Sequence, residues 1–210
     1  MLKLWGRTNS INVQKVLWTL TEIGLPYERV DAGLSFGGVN EPWYRAMNPN
    51  GRVPTIDDDG FVLWESNSIV RYLAMQYAPD LLYGNDVKTF ASASRWVDFE
   101  NNDLLPPQHD MAMHLIRLPE NQRDPEILAK ACEKFARSIA IADAQLARTR
   151  YIAGERFTYG DIPLGLRIHR WHVLGLAAET PPNIARWYAE IKTRPAFNKW
   201  TADPAHHLEG

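Results

Sequence analysis

Short strand-like and helix-like patterns alternate along the chain before residue 80. Apolar and polar side chains alternate over Leu2–Trp5, which predicts a half-buried strand. Apolar residues recur at helical spacing from Val13 to Leu20, after the start signal Asn9-Ser10, and predict a helix; residues 26–30 predict a second strand. The stretch from Ala32 to Met47 is mixed and rich in loop formers, with room for one short helix.

A hairpin and a helix complete this first part. Val53–Ile56 and Phe61–Trp64 predict two strands joined by the turn Asp57-Asp58-Asp59-Gly60. Helical spacing returns from Ser66 to Tyr77. The order β-α-β-(α)-β-β-α is typical of an α/β domain in which helices cover a small mixed sheet.

Beyond residue 80 every long segment has helical spacing. The pattern predicts a helix over 87–105 that ends at Pro106-Pro107, with 111–118 continuing beyond a kink. Another helix is predicted from Asp124 to Leu146, and a last one over 183–193, before Pro195.

A capping signal and the break near residue 80 set the predicted domains. Thr158-Tyr159-Gly160-Asp161 has the form of a capping box, with Phe157 placed as a hydrophobic staple. The sequence thus predicts an α/β domain over 1–79, a linker over 80–85 and an all-helical domain over 86–210.

Composition excludes several classes of function. The 210 residues carry 23 Lys plus Arg against 25 Asp plus Glu, a net charge of −2, without a basic block. That balance argues against nucleic acid or an anionic membrane as partner. The absence of a long apolar run predicts a soluble, cytoplasmic protein. The single cysteine, Cys132, excludes an intramolecular disulfide, a Cys-x-x-Cys pair and a cysteine-rich zinc site.

Neither Cys132 nor the histidines predict a reactive centre of their own. Cys132 lies in a helical apolar pattern, which favours a small core residue. The histidines are too loosely arranged for a metal site, so no metal is expected.

Three segments carry candidate chemistry. Thr8–Asn12 precedes the first helix, whose N-terminus attracts an anion, and a hydroxyl there could stabilise a thiolate; Ser10 as a plain helix cap is the alternative. A cis Val53–Pro54 bond would expose the Val53 backbone to an extended peptide, although a plain loop also fits. Glu65 and Ser66 suit the ammonium and carboxylate of an α-amino acid, or an ordinary helix start.

Together these motifs identify a resemblance. Residues 4–16, 48–56, 65–73 and 158–161 occur in the order and spacing of the cytosolic glutathione S-transferases. The chain resembles that family from end to end, and most of all the bacterial members allied to the serine-type theta, phi and zeta classes. The resemblance implies a thioredoxin-like N-terminal domain, an all-helical C-terminal domain and a homodimer.

The resemblance also implies a glutathione site. Ser10 matches the serine that hydrogen-bonds the glutathione sulfur, with Asn12 as the second candidate. Val39-Asn40 stands where relatives place a Lys or His for the glycyl carboxylate. The glutathione-binding positions that it implies are Asn40, Arg52, Val53, Pro54, Glu65 and Ser66.

An apolar pocket for a second substrate is implied beside the glutathione sulfur. Its expected lining residues are Trp5, Arg7, Asn102, Leu105, His109 and Met113. Methionines and aromatic residues at helical spacing are equally typical of a core.

The missing thiol selects among the activities of the family. Redox members place a cysteine at the start of the first helix, whereas this chain has Thr8–Asn12 there. The sequence therefore predicts conjugation of the glutathione thiolate, as co-substrate, to a small hydrophobic electrophile, halogenated or α,β-unsaturated. A glutathione-dependent dehalogenase or peroxidase is the alternative enzyme, and a non-catalytic binding module with the same fold is the alternative of another class.

Overall fold

The computed structural model describes residues 1–83, 86–177 and 179–202. The chain forms two compact units. The sheet unit comprises Met1–Asn85 together with the residues from Arg194 onward, and the helical unit comprises Asp86–Thr193. This division differs from the predicted one, since the C-terminal residues group with the sheet unit. Within the predicted linker, the described residues continue a π-helical turn, Pro79–Tyr83; residues 84 and 85 and the tail 203–210 lie outside the described residues.

The strands of the sheet unit are β1 (Leu2–Trp5), β2 (Tyr27–Val30), β3 (Thr55–Asp58) and β4 (Phe61–Trp64). They form a four-stranded mixed sheet in the order β2-β1-β3-β4. Strand β1 pairs in parallel with β2 and antiparallel with β3, and β3 and β4 form the predicted hairpin.

The sheet unit includes helices α1 (Ile11–Ile23), α2 (Pro42–Met47) and α3 (Ser66–Tyr77), at the predicted positions in the chain. Helices α1 and α3 pack together, and their apolar faces meet the sheet in one core. Helix α1 ends at Gly24, whose φ of 69° is a left-handed conformation that favours glycine. The buried core residues are Leu2, Leu4, Val13, Val16, Leu17, Leu20, Ile56, Ile69 and Leu73.

The sheet unit also contains helix α9 (Pro195–Thr201), near the end of the described residues. The helix predicted over 183–193 does end before Pro195, but the prediction that it is the last helix is wrong. Pro195 begins α9, because proline fits the first turn of a helix, where no backbone N–H is required. Helix α9 packs on α1. The centroids of the Trp18 and Phe197 rings lie 5.0 Å apart, and the Trp200 indole N–H donates a hydrogen bond to the Thr21 hydroxyl at 2.8 Å.

The helical unit contains α4 (Val87–Phe99), α5 (Leu105–Ala112), α6 (Pro125–Leu146), α7 (Asp161–Val173) and α8 (Pro182–Ile191). The predicted stop at Pro106-Pro107 is wrong. A π-helical turn, Glu100–Leu104, precedes the two prolines, and the Leu105 N–H bonds the Glu100 carbonyl, five residues back. The wider turn places both prolines in the first turn of α5, so the chain stays helical through them.

The Asp161 half of the predicted capping box is present at the start of α7, whereas the Thr158 hydroxyl accepts from the Gly160 N–H at 3.2 Å and not from the Asp161 N–H. The Asp161 carboxylate accepts from the Thr158 backbone N–H at 2.9 Å and from the Trp187 indole at 2.9 Å. Asp161 is fully buried, and this burial raises the pKa of its carboxyl to about 6.

None of the helices among the described residues is long and apolar enough to cross a membrane.

Candidate active site

Helices α1 and α3 begin without side-chain caps, unlike α4 and α6. In the helical unit, Asp86 and Asp124 accept hydrogen bonds from first-turn N–H groups of α4 and α6. Ser10 and Glu65 hold the corresponding positions of α1 and α3, and neither side chain makes a capping hydrogen bond. The first N–H groups of both helices therefore remain available to an anion.

The two helix starts are joined by a hydrogen bond. The Ser66 hydroxyl of α3 donates to the Asn12 side-chain oxygen of α1 at 3.3 Å. Ser10 and Ser66 are buried, with 6% of each exposed, whereas Asn12 is half-buried. Asn12 and Ser66 are 54 positions apart in sequence, and their hydrogen bond holds the positive N-terminal ends of α1 and α3 next to each other.

The Val53–Pro54 peptide bond is cis, as the sequence suggested. Val53 takes part in none of the backbone–backbone hydrogen bonds found among the described residues outside helices and strands. Its main-chain N–H and C=O are therefore open to an extended peptide.

Two buried side chains hold the loop before this bond. The Asn48 amide donates to the Arg52 carbonyl at 2.8 Å and to the Thr55 hydroxyl at 3.0 Å. The Tyr44 hydroxyl contacts the same two groups at 2.7 and 2.8 Å. Burial raises the pKa of the Tyr44 hydroxyl, so it stays a neutral donor.

Two residues of the site carry opposite charges. Arg52 and Glu65 are both exposed, and neither forms an ion pair with another described residue. Glu65 has a φ of 72°, a left-handed backbone conformation that is costly for a residue with a side chain. Strain at a residue between a strand and an uncapped helix is typical of a functional position.

A pocket of about 80 Å³ lies in the sheet unit. It brings together most of the predicted glutathione-binding residues. Ser10 does not belong to its wall, whereas the second candidate, Asn12, does. The lining residues are Asn12, Asn48, Asn50, Arg52, Val53, Pro54, Glu65 and Ser66.

Sequence reasoning missed Asn48 and Asn50 as parts of this wall. The Asn48 side chain accepts from the Asn50 backbone N–H at 3.1 Å, which forms an Asx turn. The signal was in the chain, since asparagine beside proline and glycine is typical of such turns.

Asn40 lies outside this wall and is exposed. Its side-chain oxygen accepts from Arg45 at 2.8 Å, and Arg45 also donates to the Pro49 carbonyl at 2.7 Å. Asn40 therefore lies beside the Arg45 guanidinium, which the sequence analysis did not propose as a glutathione-binding group.

The residues predicted to line the electrophile pocket fall in both units. Trp5 ends β1 and is half-buried, and Arg7 follows it and is buried. In the helical unit, Asn102 lies in the π-helical turn and is exposed, as is His109 on α5. Leu105, at the start of α5, and Met113, just after it, are half-buried.

Cys132 is exposed on α6, so its prediction as a core residue is wrong. The helical spacing was read correctly, but Cys132 lies at the edge of the apolar stripe beside Ala131 and Phe135, which are buried. Among the described residues, no group of three or more His, Cys, Asp or Glu side chains is placed to hold a metal ion.

Comparisons with known proteins agree with this geometry. A family model described as the glutathione S-transferase N-terminal domain matches residues 1–75, and one described as the C-terminal domain matches residues 125–190. The chain is 41% identical over 201 residues to glutathione S-transferase GstB of Escherichia coli strain K12, which covers 95% of this chain and 97% of that relative. It is 32% identical over 216 residues to glutathione S-transferase 3 of Zea mays, covering 96% and 93%.

A solved structure extends the agreement to the fold. The theta class glutathione S-transferase of Xanthomonas axonopodis pv. citri, with glutathione bound, superposes with a TM-score of 0.89 at 42% identity and covers 96% of this chain and 97% of that one. The predicted thioredoxin-like N-terminal domain and helical C-terminal domain are confirmed. The chain belongs to the glutathione S-transferase family.

Proposed function

We propose that this chain binds glutathione at the start of α1 and α3 and conjugates the glutathione thiolate to a small hydrophobic electrophile. The observation that carries the proposal is the hydrogen bond between Asn12 and Ser66, which joins two uncapped helix starts. Glutathione carries one ammonium, two carboxylates and a thiol, so a site for it needs a carboxylate and several anion-binding positions.

The γ-glutamyl end fits the α3 side of the site. The free carboxylate of Glu65 pairs with the ammonium, and the Ser66 hydroxyl with the first N–H groups of α3 binds the α-carboxylate. The main chain of Val53 pairs with that of the cysteinyl residue. Arg52, with Asn40 beside Arg45, offers positive charge to the glycyl carboxylate.

The sulfur lies at the start of α1. Hydrogen bonds from Ser10 or Asn12 and the positive end of the helix lower the pKa of the bound thiol. The thiolate attacks an electrophilic carbon and forms a carbon–sulfur bond. A halide leaves with the bonding electrons, or the α-carbon of an unsaturated carbonyl takes up a proton. The protein's own thiol lies on α6, which favours conjugation over thiol–disulfide exchange.

Calorimetry with glutathione and a panel of electrophiles tests this function. Binding should occur at millimolar glutathione or below, and conjugation should follow the fraction of bound thiolate as pH rises. Ser10→Ala and Asn12→Ala separate the two sulfur-binding candidates, because loss of thiolate at neutral pH identifies the residue responsible. Absence of binding at millimolar glutathione would exclude both enzyme alternatives and leave the binding module. Binding with turnover of peroxide or haloalkane alone would assign the alternative enzyme.

We further propose a homodimer, from two complementary surfaces. A groove of about 420 Å³ in the helical unit has Trp96, Phe99 and Ile141 in its walls with Arg95 and Arg148. Neither arginine forms an ion pair with another described residue. The sheet unit carries an acidic and aromatic patch around Asp58, which we define as residues 57–61 together with Met75 and Tyr77. The side chains of Phe61, Met75 and Tyr77 are 39–50% exposed. This patch of one copy fits the groove of the other.

Size-exclusion chromatography with light scattering measures the mass of the protein in solution. The dimer should weaken on Arg148→Glu and not on Lys88→Glu, an exposed control in the same unit. A monomeric wild-type protein would refute the dimer without bearing on glutathione binding. The cytoplasmic location stays a prediction, which fractionation of cells expressing the protein tests.

A further inference from the structure

A cavity of about 380 Å³ lies among α5, α6, α7 and the segment after α7, in the helical unit. We call it the α6–α7 pocket. Eight of its ten lining residues are apolar, and its volume falls within the usual range for small-molecule sites. The lining residues are Met111, Cys132, Phe135, Ala136, Ile139, Ala140, Trp171, Leu176, Glu179 and Pro181.

The inner wall of this pocket is preformed. Met111, Phe135, Ile139 and Trp171 are 2–6% exposed, so the packing of the unit fixes their positions. The Phe135 and Trp171 rings lie 5.4 Å apart and tilted by 53°, which places two aromatic side chains in the wall. A ligand would find this apolar surface without rearrangement of the core.

The charge of the wall comes from one carboxylate. Glu179 is the ionisable residue of the lining besides the thiol of Cys132, and it forms no ion pair with another described residue. A carboxylate at the edge of an apolar pocket attracts a cation and repels an anion.

We propose that the α6–α7 pocket binds a hydrophobic ammonium compound, with its apolar body against Phe135, Ile139 and Trp171 and its cationic group beside Glu179. All the residues of this pocket belong to the helical unit, whereas the candidate glutathione site lies in the sheet unit. The inference therefore does not rest on the proposed function.

Cys132 provides a reporter, since it is the only cysteine of the chain and lies in the pocket wall. Alkylation of the full-length protein by iodoacetamide, followed by intact mass, measures how open the pocket is. Benzyltrimethylammonium should slow the alkylation in a saturable manner. Its neutral carbon analogue, neopentylbenzene, should protect less at equal concentration, and phenylacetate should not protect.

Three variants locate the effect. Ala140→Phe fills the pocket from an exposed position and should abolish protection, whereas Ala129→Phe, exposed on the same helix outside the lining, should retain it. Glu179→Gln should weaken benzyltrimethylammonium binding by about fivefold, the upper end for an exposed ion pair. Conjugation activity should be unchanged in all three.

Equal protection by the three probes, no protection, or protection that survives Ala140→Phe would overturn the proposal. So would a wild-type protein whose Cys132 becomes reactive only on dilution of a dimer, because a second copy would then cover the pocket. Light scattering at the labelling concentration detects that case.

Discussion

The Ser66 hydroxyl donates to the Asn12 side-chain oxygen across 3.3 Å, and this bond joins the first turns of α1 and α3. The acceptor is an amide oxygen, which carries no charge. An uncharged link leaves the positive ends of both helices to a ligand with two negative groups.

A charge at Asn12 should therefore disrupt ligand binding without disrupting the fold. Asn12→Asp keeps an oxygen for Ser66 but adds a negative charge at the helix starts. We expect glutathione affinity to fall at least tenfold, about 1.4 kcal/mol, while the free energy of unfolding changes by less than about 1 kcal/mol. Calorimetry and urea unfolding measure the two quantities. Asn121→Asp, at an exposed position of the helical unit, is the control, and unchanged affinity in Asn12→Asp would remove Asn12 from the site.

The backbone of Glu65 predicts a conflict between stability and binding. Its φ of 72° suits glycine, so Glu65→Gly relieves strain whereas Glu65→Ala keeps it. The Gly variant should be more stable to urea than the Ala variant by about 1 kcal/mol, after the extra entropy of glycine in the unfolded chain. Both variants lack the carboxylate and should bind glutathione poorly. Equal stabilities would show that the site relaxes around residue 65.

Burial of Asp161 predicts a pH-dependent stability. Its folded-state pKa of about 6 lies above the ordinary value of 3.8, so the folded protein holds the proton more tightly. The resulting stabilisation is fully present below pH 3.8 and is lost as pH rises through 6. Relative to Asp161→Asn, which has no proton to lose, the wild type should lose about 3 kcal/mol of stability across that range. Urea unfolding of both proteins between pH 4 and 7 measures it; a constant difference would contradict the raised pKa.

Glu100 and Arg167 form a buried ion pair in the helical unit. They are 0% and 4% exposed, and the Arg167 Nε donates to the Glu100 carboxylate at 2.7 Å. Glu100→Leu or Arg167→Met leaves one buried charge without its partner and should cost about 3–5 kcal/mol. The double variant removes both charges and should be more stable than either single variant.

An exposed pair on α6 provides the comparison. Glu126 and Lys130 lie 3.6 Å apart on the surface, and replacing either should cost less than about 0.5 kcal/mol. Additive losses in the Glu100 and Arg167 variants would show that the two charges act independently.

The sequence predicted the parts of the site that depend on local spacing. The positions of α1, the hairpin and α3 follow from apolar periodicity and turn residues, so the segments holding Asn12, Val53 and Glu65 were found. The contact between Asn12 and Ser66 could not be predicted from periodicity, because it depends on how α1 and α3 pack. Asn12 and Ser66 were assigned to one site only through the resemblance to the glutathione S-transferases.

The wrong predictions came from interpreting prolines and helix faces without their position in the folded helix. Pro106, Pro107 and Pro195 break a helix only in its interior, and each lies instead in a first turn. Cys132 lies beside buried Ala131 in sequence, but one helical step of rotation turns its side chain to the surface.

The return of α9 to the sheet unit sets an order of events during synthesis. Phe197 and Trp200 cover Trp18 and Thr21 on α1, although Trp200 follows Thr21 by 179 residues along the chain. The helical unit, which is continuous in sequence, can fold while the surface of α1 is still uncovered. Because α9 is made after both α1 and the helical unit, termination before Pro195 yields a product in which the surface of α1 around Trp18 is uncovered.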